Sequence, residues 1–137
     1  MEQIQFSEFV KSYLTQYYPQ FINSVKYQPD GSFDCSIENK TKAFSLWIAT
    51  YNIEITVGLE DPAKTSGCHT HFTPYDERDL PEVLHELGEL LEEIFSNKRM
   101  FYYSNIHGYS WTNDAVETVV DKKPSESVQF FTWNGSL

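Results

Sequence analysis

Two histidines in Cys68-His69-Thr70-His71-Phe72 are the residues of this chain best spaced for chemistry. Side chains two apart on a strand point to one face, so a strand here sets both imidazoles side by side. Neutral imidazole is a good zinc ligand, and a zinc site takes three or four donors. His85, His107, Cys68 or a glutamate would have to complete the set, and no spacing in the chain fixes which. Cys68 falls on the opposite face of a regular strand. His85-Glu86 lacks the second histidine of a His-Glu-x-x-His motif, because position 89 is Glu89. A zinc site on His69 and His71, in a metal-binding protein or a metal-dependent hydrolase, is therefore the alternative reading, and polar histidines pairing with Thr, Tyr or Glu are the ordinary one. Nucleophilic chemistry has less behind it. There is no Gly-x-Ser-x-Gly elbow and no Gly-x-x-x-x-Gly-Lys phosphate loop, and a Cys68–His107 pair is one that any chain with both residue types permits. The expected protein is not an enzyme and carries no cofactor.

The second feature is charge. Between Asp76 and Arg99 stand eight acids and three bases, a net −5 out of −10 for the whole chain. Most of these acids fall on one helical segment, Leu80–Phe95. There Leu80, Val83, Leu84, Leu87, Leu90, Leu91, Ile94 and Phe95 form an apolar stripe, and Glu82, Glu86, Glu89, Glu92 and Glu93 occupy the rest. A solvated face is the plain interpretation. The functional one is a docking surface for a basic protein, since complementary charge speeds encounter and sets specificity.

The remaining elements must position these two features. Asp79 with Glu82 fits a capping box for the acidic helix, and Pro81 is tolerated in its first turn. Gly88 inside it costs about 1 kcal/mol against Ala and predicts close approach of a strand or of the first helix. That first helix is predicted from Glu8 to Tyr18, capped by Ser7 and stopped by Pro19. Val25–Gln28 and Ser32–Glu38 flank Pro29-Asp30-Gly31 as a hairpin. Ala43–Thr50, Ile53–Leu59 and Cys68–Thr73 are predicted strands, with a tight turn at Asn52. The strict alternation of Ile53, Ile55, Val57 and Leu59 predicts a sheet with one wet face. Met100–Ile106, Ala115–Val120 and Val128–Trp133 complete the set. The expected fold is a single α+β domain over residues 1–137, an antiparallel sheet of about six to seven strands with two main helices packed on it.

Composition fits this picture. The chain has 137 residues, 40% hydrophobic and 16% aromatic, enough to bury a core. Trp47, Tyr51, Tyr75, Tyr102, Tyr103, Tyr109, Trp111, Phe131 and Trp133 cannot all face inward if the strands alternate. Exposed Tyr and Trp amid acids suit a protein-interaction surface, so Tyr109 and Trp111 join Glu82, Glu86, Glu89 and Glu93 as the expected partner-binding residues. A net charge of −10 argues against nucleic acid as a partner, and against anionic membrane surfaces. No apolar run approaches the ~20 residues that span a bilayer. The start, Met1-Glu2-Gln3-Ile4, lacks the basic and apolar regions of a signal peptide. A cytoplasmic location is expected, with Cys35 and Cys68 as reduced thiols and a disulfide between them as the alternative.

The run from Asn52-Ile53-Glu54-Ile55-Thr56-Val57-Gly58 through Cys68-His69-Thr70-His71-Phe72 and the acidic helix to Arg99-Met100-Phe101-Tyr102 resembles small bacterial immunity proteins of polymorphic toxin systems. The resemblance covers roughly residues 43–106 and lies in element order, without a shared inhibitory motif. It implies a small cytoplasmic inhibitor that blocks a cognate toxin, often a nuclease with a basic surface, using the acidic helix and exposed aromatics as the mask.

Overall fold

The computed structural model describes residues 1–64 and 66–136. The fold is α+β. Its elements in chain order are α1 (Gln3–Tyr17), a 3-10 turn (Pro19–Ser24), β1 (Lys26–Tyr27), β2 (Phe33–Glu38), β3 (Ser45–Ala49), β4 (Ile55–Glu60), β5 (Gly67–Phe72), α2 (Leu80–Phe95), β6 (Met100–Ser104), β7 (Gly108–Thr112), α3 (Ala115–Asp121), β8 (Val128–Thr132) and β9 (Gly135–Ser136). The strands divide between two sheets, one in the order β1-β2-β3-β4-β5 and one in the order β7-β6-β8-β9. The β1–β2, β6–β7, β6–β8 and β8–β9 pairings are antiparallel. The chain gathers into two compact units. The first comprises Met1–Ile37, Leu46–Gly58 and His69–Glu89, the second Glu38–Ser45, Leu59–Cys68 and Leu90–Leu137.

In the first unit, α1 buries Phe6, Val10 and Leu14, spaced one turn apart, together with Phe21, Phe33, Cys35, Leu46, Ile48, Ile55, Val57, Val83 and Leu87. The helix begins at Gln3 rather than Glu8, and Ser7 does not cap it. Its hydroxyl is buried and lies 2.9 Å from the Thr50 hydroxyl. A buried hydroxyl without a partner is costly, so this pair fixes where the helix sits. The Gln3 amide completes the junction. Its Nε2 donates to the Thr50 carbonyl at 2.6 Å and to Ser7 Oγ at 3.0 Å, and its Oε1 accepts from Ile53 N at 2.9 Å. The turn so held contains Asn52 and Ile53 at φ +58° and +54°. Asn tolerates that region, whereas a β-branched residue adopts it only under constraint. The predicted turn at Asn52 is thus present.

The wet face predicted for Ile53–Leu59 is absent: residues 55 to 59 are all buried, Thr56 and Gly58 included. Trp47 of β3 lies across Gly58, where any Cβ would run into its indole ring. Alternation in β4 therefore reports two covered faces, one lined by small residues.

Helix α2 keeps its predicted range, but its box closes one turn earlier. Asp76, not Asp79, is the N-cap; it accepts from Arg78 N at 2.8 Å, and Asp79 reaches back to the backbone ahead of it, across a 3-10 turn at Glu77–Asp79. Gly88 meets α1, as its placement predicts. The Tyr13 hydroxyl occupies the space of a Cβ, and the Tyr18 hydroxyl is 3.5 Å from the Gly88 carbonyl.

In the second unit Phe44, Leu59, Leu90, Leu91, Ile94 and Phe101 are buried. Phe44 is the aromatic centre, 4.9 Å from the Phe101 ring, 5.8 Å from Trp133 and 6.5 Å from Phe131. One expectation fails here. Ala115–Val120 is a helix, not a strand. The Asp114 carboxylate caps it by accepting from Glu117 N at 3.0 Å, and the Thr118 hydroxyl donates to the Asp114 carbonyl. No residue of α3 is buried. With no core contact to reward the β-branched run, local capping decides the conformation.

Replacing Gly88 by Ala adds about 1 kcal/mol of helix propensity yet drives the new methyl into Tyr13, whose ring is stacked 5.0 Å from Tyr17. Gly88→Ala is expected to lower the unfolding free energy by about 1 kcal/mol in the native background and to raise it by a similar amount in Tyr13→Phe. Urea denaturation of the four variants checks this.

Candidate functional site

The two predicted histidines stand together on β5, an edge strand of the five-stranded sheet. His69 and His71 are exposed while Cys68, Thr70 and Phe72 turn inward, the alternation expected of a strand with one wet face. The two rings are 4.9 Å apart between centroids with planes at 73°. His69 is flanked by the Trp47 indole at 6.3 Å. His71 Nδ1 is 2.8 Å from the Thr56 hydroxyl and 3.1 Å from a carboxylate oxygen of Glu54. The other oxygen of Glu54 accepts from the Thr73 hydroxyl at 3.0 Å. A carboxylate only accepts, so Nδ1 is the donor in the contact with Glu54.

Of the other donors considered for this pair, His85 is engaged elsewhere: its Nε2 is 2.8 Å from Glu89 on the same face of α2. His107 and Cys68 belong to the second unit. Both cysteines are free thiols. Burial pushes each up to about 12, outweighing the Ser110 and Arg99 groups that favour the Cys68 thiolate. Such thiols are poor nucleophiles at neutral pH. Among the described residues no group of three His, Cys, Asp or Glu side chains is arranged to hold a metal ion.

The six expected partner-binding residues fall into two groups. Glu82, Glu86 and Glu89 are exposed along the part of α2 in the first unit. Among the described residues, the only ion pair on these three is that of Glu89 with His85. Tyr75, four residues before Asp79, is fully exposed at 100%. Glu93, Tyr109 and Trp111 lie in the second unit, half-buried. Arg99 donates to Glu93 at 2.7 and 3.1 Å, and its guanidinium sits 5.8 Å from the Trp111 ring centre. Tyr109 packs against Tyr103 at 5.0 Å and Phe131 at 6.4 Å.

One feature was not legible beforehand. A groove of about 410 Å³ in the second unit is lined by Tyr102, His107, Glu117, Asp121, Lys122 and Glu126, among others. Glu126 is buried and caps two turns at once. The Ser104 hydroxyl donates to its carboxylate, Lys123 N donates at 3.1 Å, and the same Ser104 oxygen accepts from the amides of Ile106 and His107 at 3.1 Å. These bonds, the Ser104 hydroxyl foremost, hold the Glu126 carboxyl below its ordinary value. Sequence reasoning passed over Glu126 because it stands in a Lys-Pro-Ser-rich linker between predicted strands. Compared with known protein families, curated proteins and solved structures, the chain matches none.

A carboxylate whose folded pKa is depressed stabilises the fold above its unfolded pKa of about 4.3. That contribution is lost as pH falls through the lower folded value. Glu126→Gln is therefore expected to lower the melting temperature at pH 7 and to change it less at acid pH, so that the two curves of melting temperature against pH converge below about pH 4. Parallel curves would show that the carboxylate charge is not what Ser104 and Lys123 recognise.

Proposed function

We propose that this protein is a non-catalytic binding module that docks a basic partner protein on the exposed acidic face of α2, as an immunity-type inhibitor masks its toxin. The observation that supports this most is the row Glu82, Glu86 and Glu89, exposed and recurring at helical spacing, with the His85 ring, 2.8 Å from Glu89, as the one basic group placed against it among the described residues. Three like charges on successive turns repel one another. A basic partner would relieve that repulsion. Tyr75, fully exposed ahead of the helix, adds the rigid aromatic contact area that dominates interface energetics. The net charge of −10 adds long-range attraction for a cationic surface. The docking face thus comprises Tyr75, Glu82, Glu86 and Glu89. Glu93 and Trp111 already have Arg99 as a neighbour and are left out of this face.

Native mass spectrometry of the protein isolated from its own cells is expected to show a one-to-one complex with a basic polypeptide. With that partner in hand, Glu82→Lys, Glu86→Lys and Glu89→Lys together should weaken binding at least a hundredfold and flatten its salt dependence, without lowering the melting temperature. Unchanged affinity in the triple variant would remove α2 as the docking face.

A further inference from the structure

We propose that His69 and His71 form a binding site for one divalent transition-metal ion on the outer face of β5, with Glu54 as the carboxylate that orients the second imidazole. The inference does not depend on the acidic face of α2. Three observations carry it. First, both rings project from one exposed strand face, 4.9 Å apart. Two nitrogens bound to one ion at about 2.0–2.1 Å lie about 3.3 Å apart, a separation these rings reach when their Nε2 edges turn toward each other. Second, His71 already shows the outer-shell pattern of a metal-bound imidazole. Its Nδ1 is taken by Glu54 and Thr56, and Glu54 is itself fixed by Thr73. Such a carboxylate sets the tautomer, leaves Nε2 as the donor and raises its basicity. Third, Trp47 forms a wall beside His69, and Gly58 makes room for it.

The protein supplies two nitrogen donors, and water fills the remaining positions. An ion held this way is accessible and exchangeable, unlike one in a closed four-ligand structural site. Imidazole donors suit Zn²⁺, Ni²⁺ and Cu²⁺, and Cu²⁺ stands highest in affinity for such a pair. Neither ring is consumed by the core, since both stay exposed and their strand pairs through its backbone.

Cu²⁺ alone is the probe, added to the full chain. The expected result is one ion per chain, a two-nitrogen pattern in its electron paramagnetic resonance spectrum, and quenching of tryptophan fluorescence that is mostly lost in Trp47→Phe. His69→Ala and His71→Ala should each weaken binding at least tenfold. Glu54→Gln should weaken it about tenfold while keeping one ion and the two-nitrogen pattern, which separates positioning from ligation. His85→Ala and His107→Ala should bind as the native chain does. Melting temperatures of all variants confirm that they are folded. Binding that survives His69→Ala with His71→Ala, binding that disappears with His85 or His107, or several weak ions per chain with mixed ligands would each overturn the proposal.

Discussion

The buried hydroxyl pair of Ser7 and Thr50 is the constraint from which the first unit is organised. Both residues are inaccessible to water, so each must find its partners inside the protein. Thr50 meets this by joining Ser7, accepting from Phe33 N at 3.0 Å, and giving its carbonyl to Gln3. Sliding α1 along its axis by a turn would break the bonds from Ser7 and Gln3 at once. The consequence runs outward. Gln3 also holds Ile53 N, and so a β-branched residue stays in the left-handed region just where the chain turns into β4. Glu54 follows directly. Its carboxylate meets His71 through one oxygen and Thr73 through the other. Backbone strain of this kind persists only where surrounding bonds over-determine it.

Helix α2 shows a different economy. Its buried stripe, from Leu80 through Val83, Leu87, Leu90 and Leu91 to Ile94, would fold equally well with neutral polar residues outside. Acids at its start agree with the helix dipole, but Glu92 and Glu93 oppose it near the C-terminus. At Glu93 the conflict is relieved by Arg99, which neutralises the carboxylate while its guanidinium covers Trp111. Among the described residues no arginine or lysine pairs with Glu82 or Glu86. Glu82, in the first turn, is favoured by the dipole without one.

Much of this was legible in the sequence, and the losses have physical causes. The ranges of α2, β2 and β5 follow from periodicity, because one face of each is buried and the other wet. The pairing of His69 with His71 follows from the two-residue repeat of a strand. Glu54 could not be found as their neighbour, since pairing between strands is not written in either one alone. The start of α1 and the cap ahead of α2 were misplaced by side chains that look like caps. Ser7 is recruited by Thr50, and Asp79 serves as the third member of a box whose cap is Asp76. Strand α/β ambiguity cost Ala115–Val120, where Asp114 and Glu117 outweighed three valines. Trp111 and Tyr109 are half-buried, because alternation shows which face a residue takes, not how much of that face its neighbours cover.

Those valines leave a mark on the behaviour of the second unit. Val116 and Val120 are each 74% exposed and Val119 is 46% exposed. A seven-residue helix with nothing buried is far shorter than one that holds itself together in water. Its hydrogen bonds rest on the Asp114 cap and on little else. The segment should therefore open and close many times for each unfolding of the sheet it adjoins in sequence, with its amide protons exchanging among the fastest of any helix in the protein. Glu117 and Asp121 of this helix line the groove, so opening of the segment would change the shape of that wall.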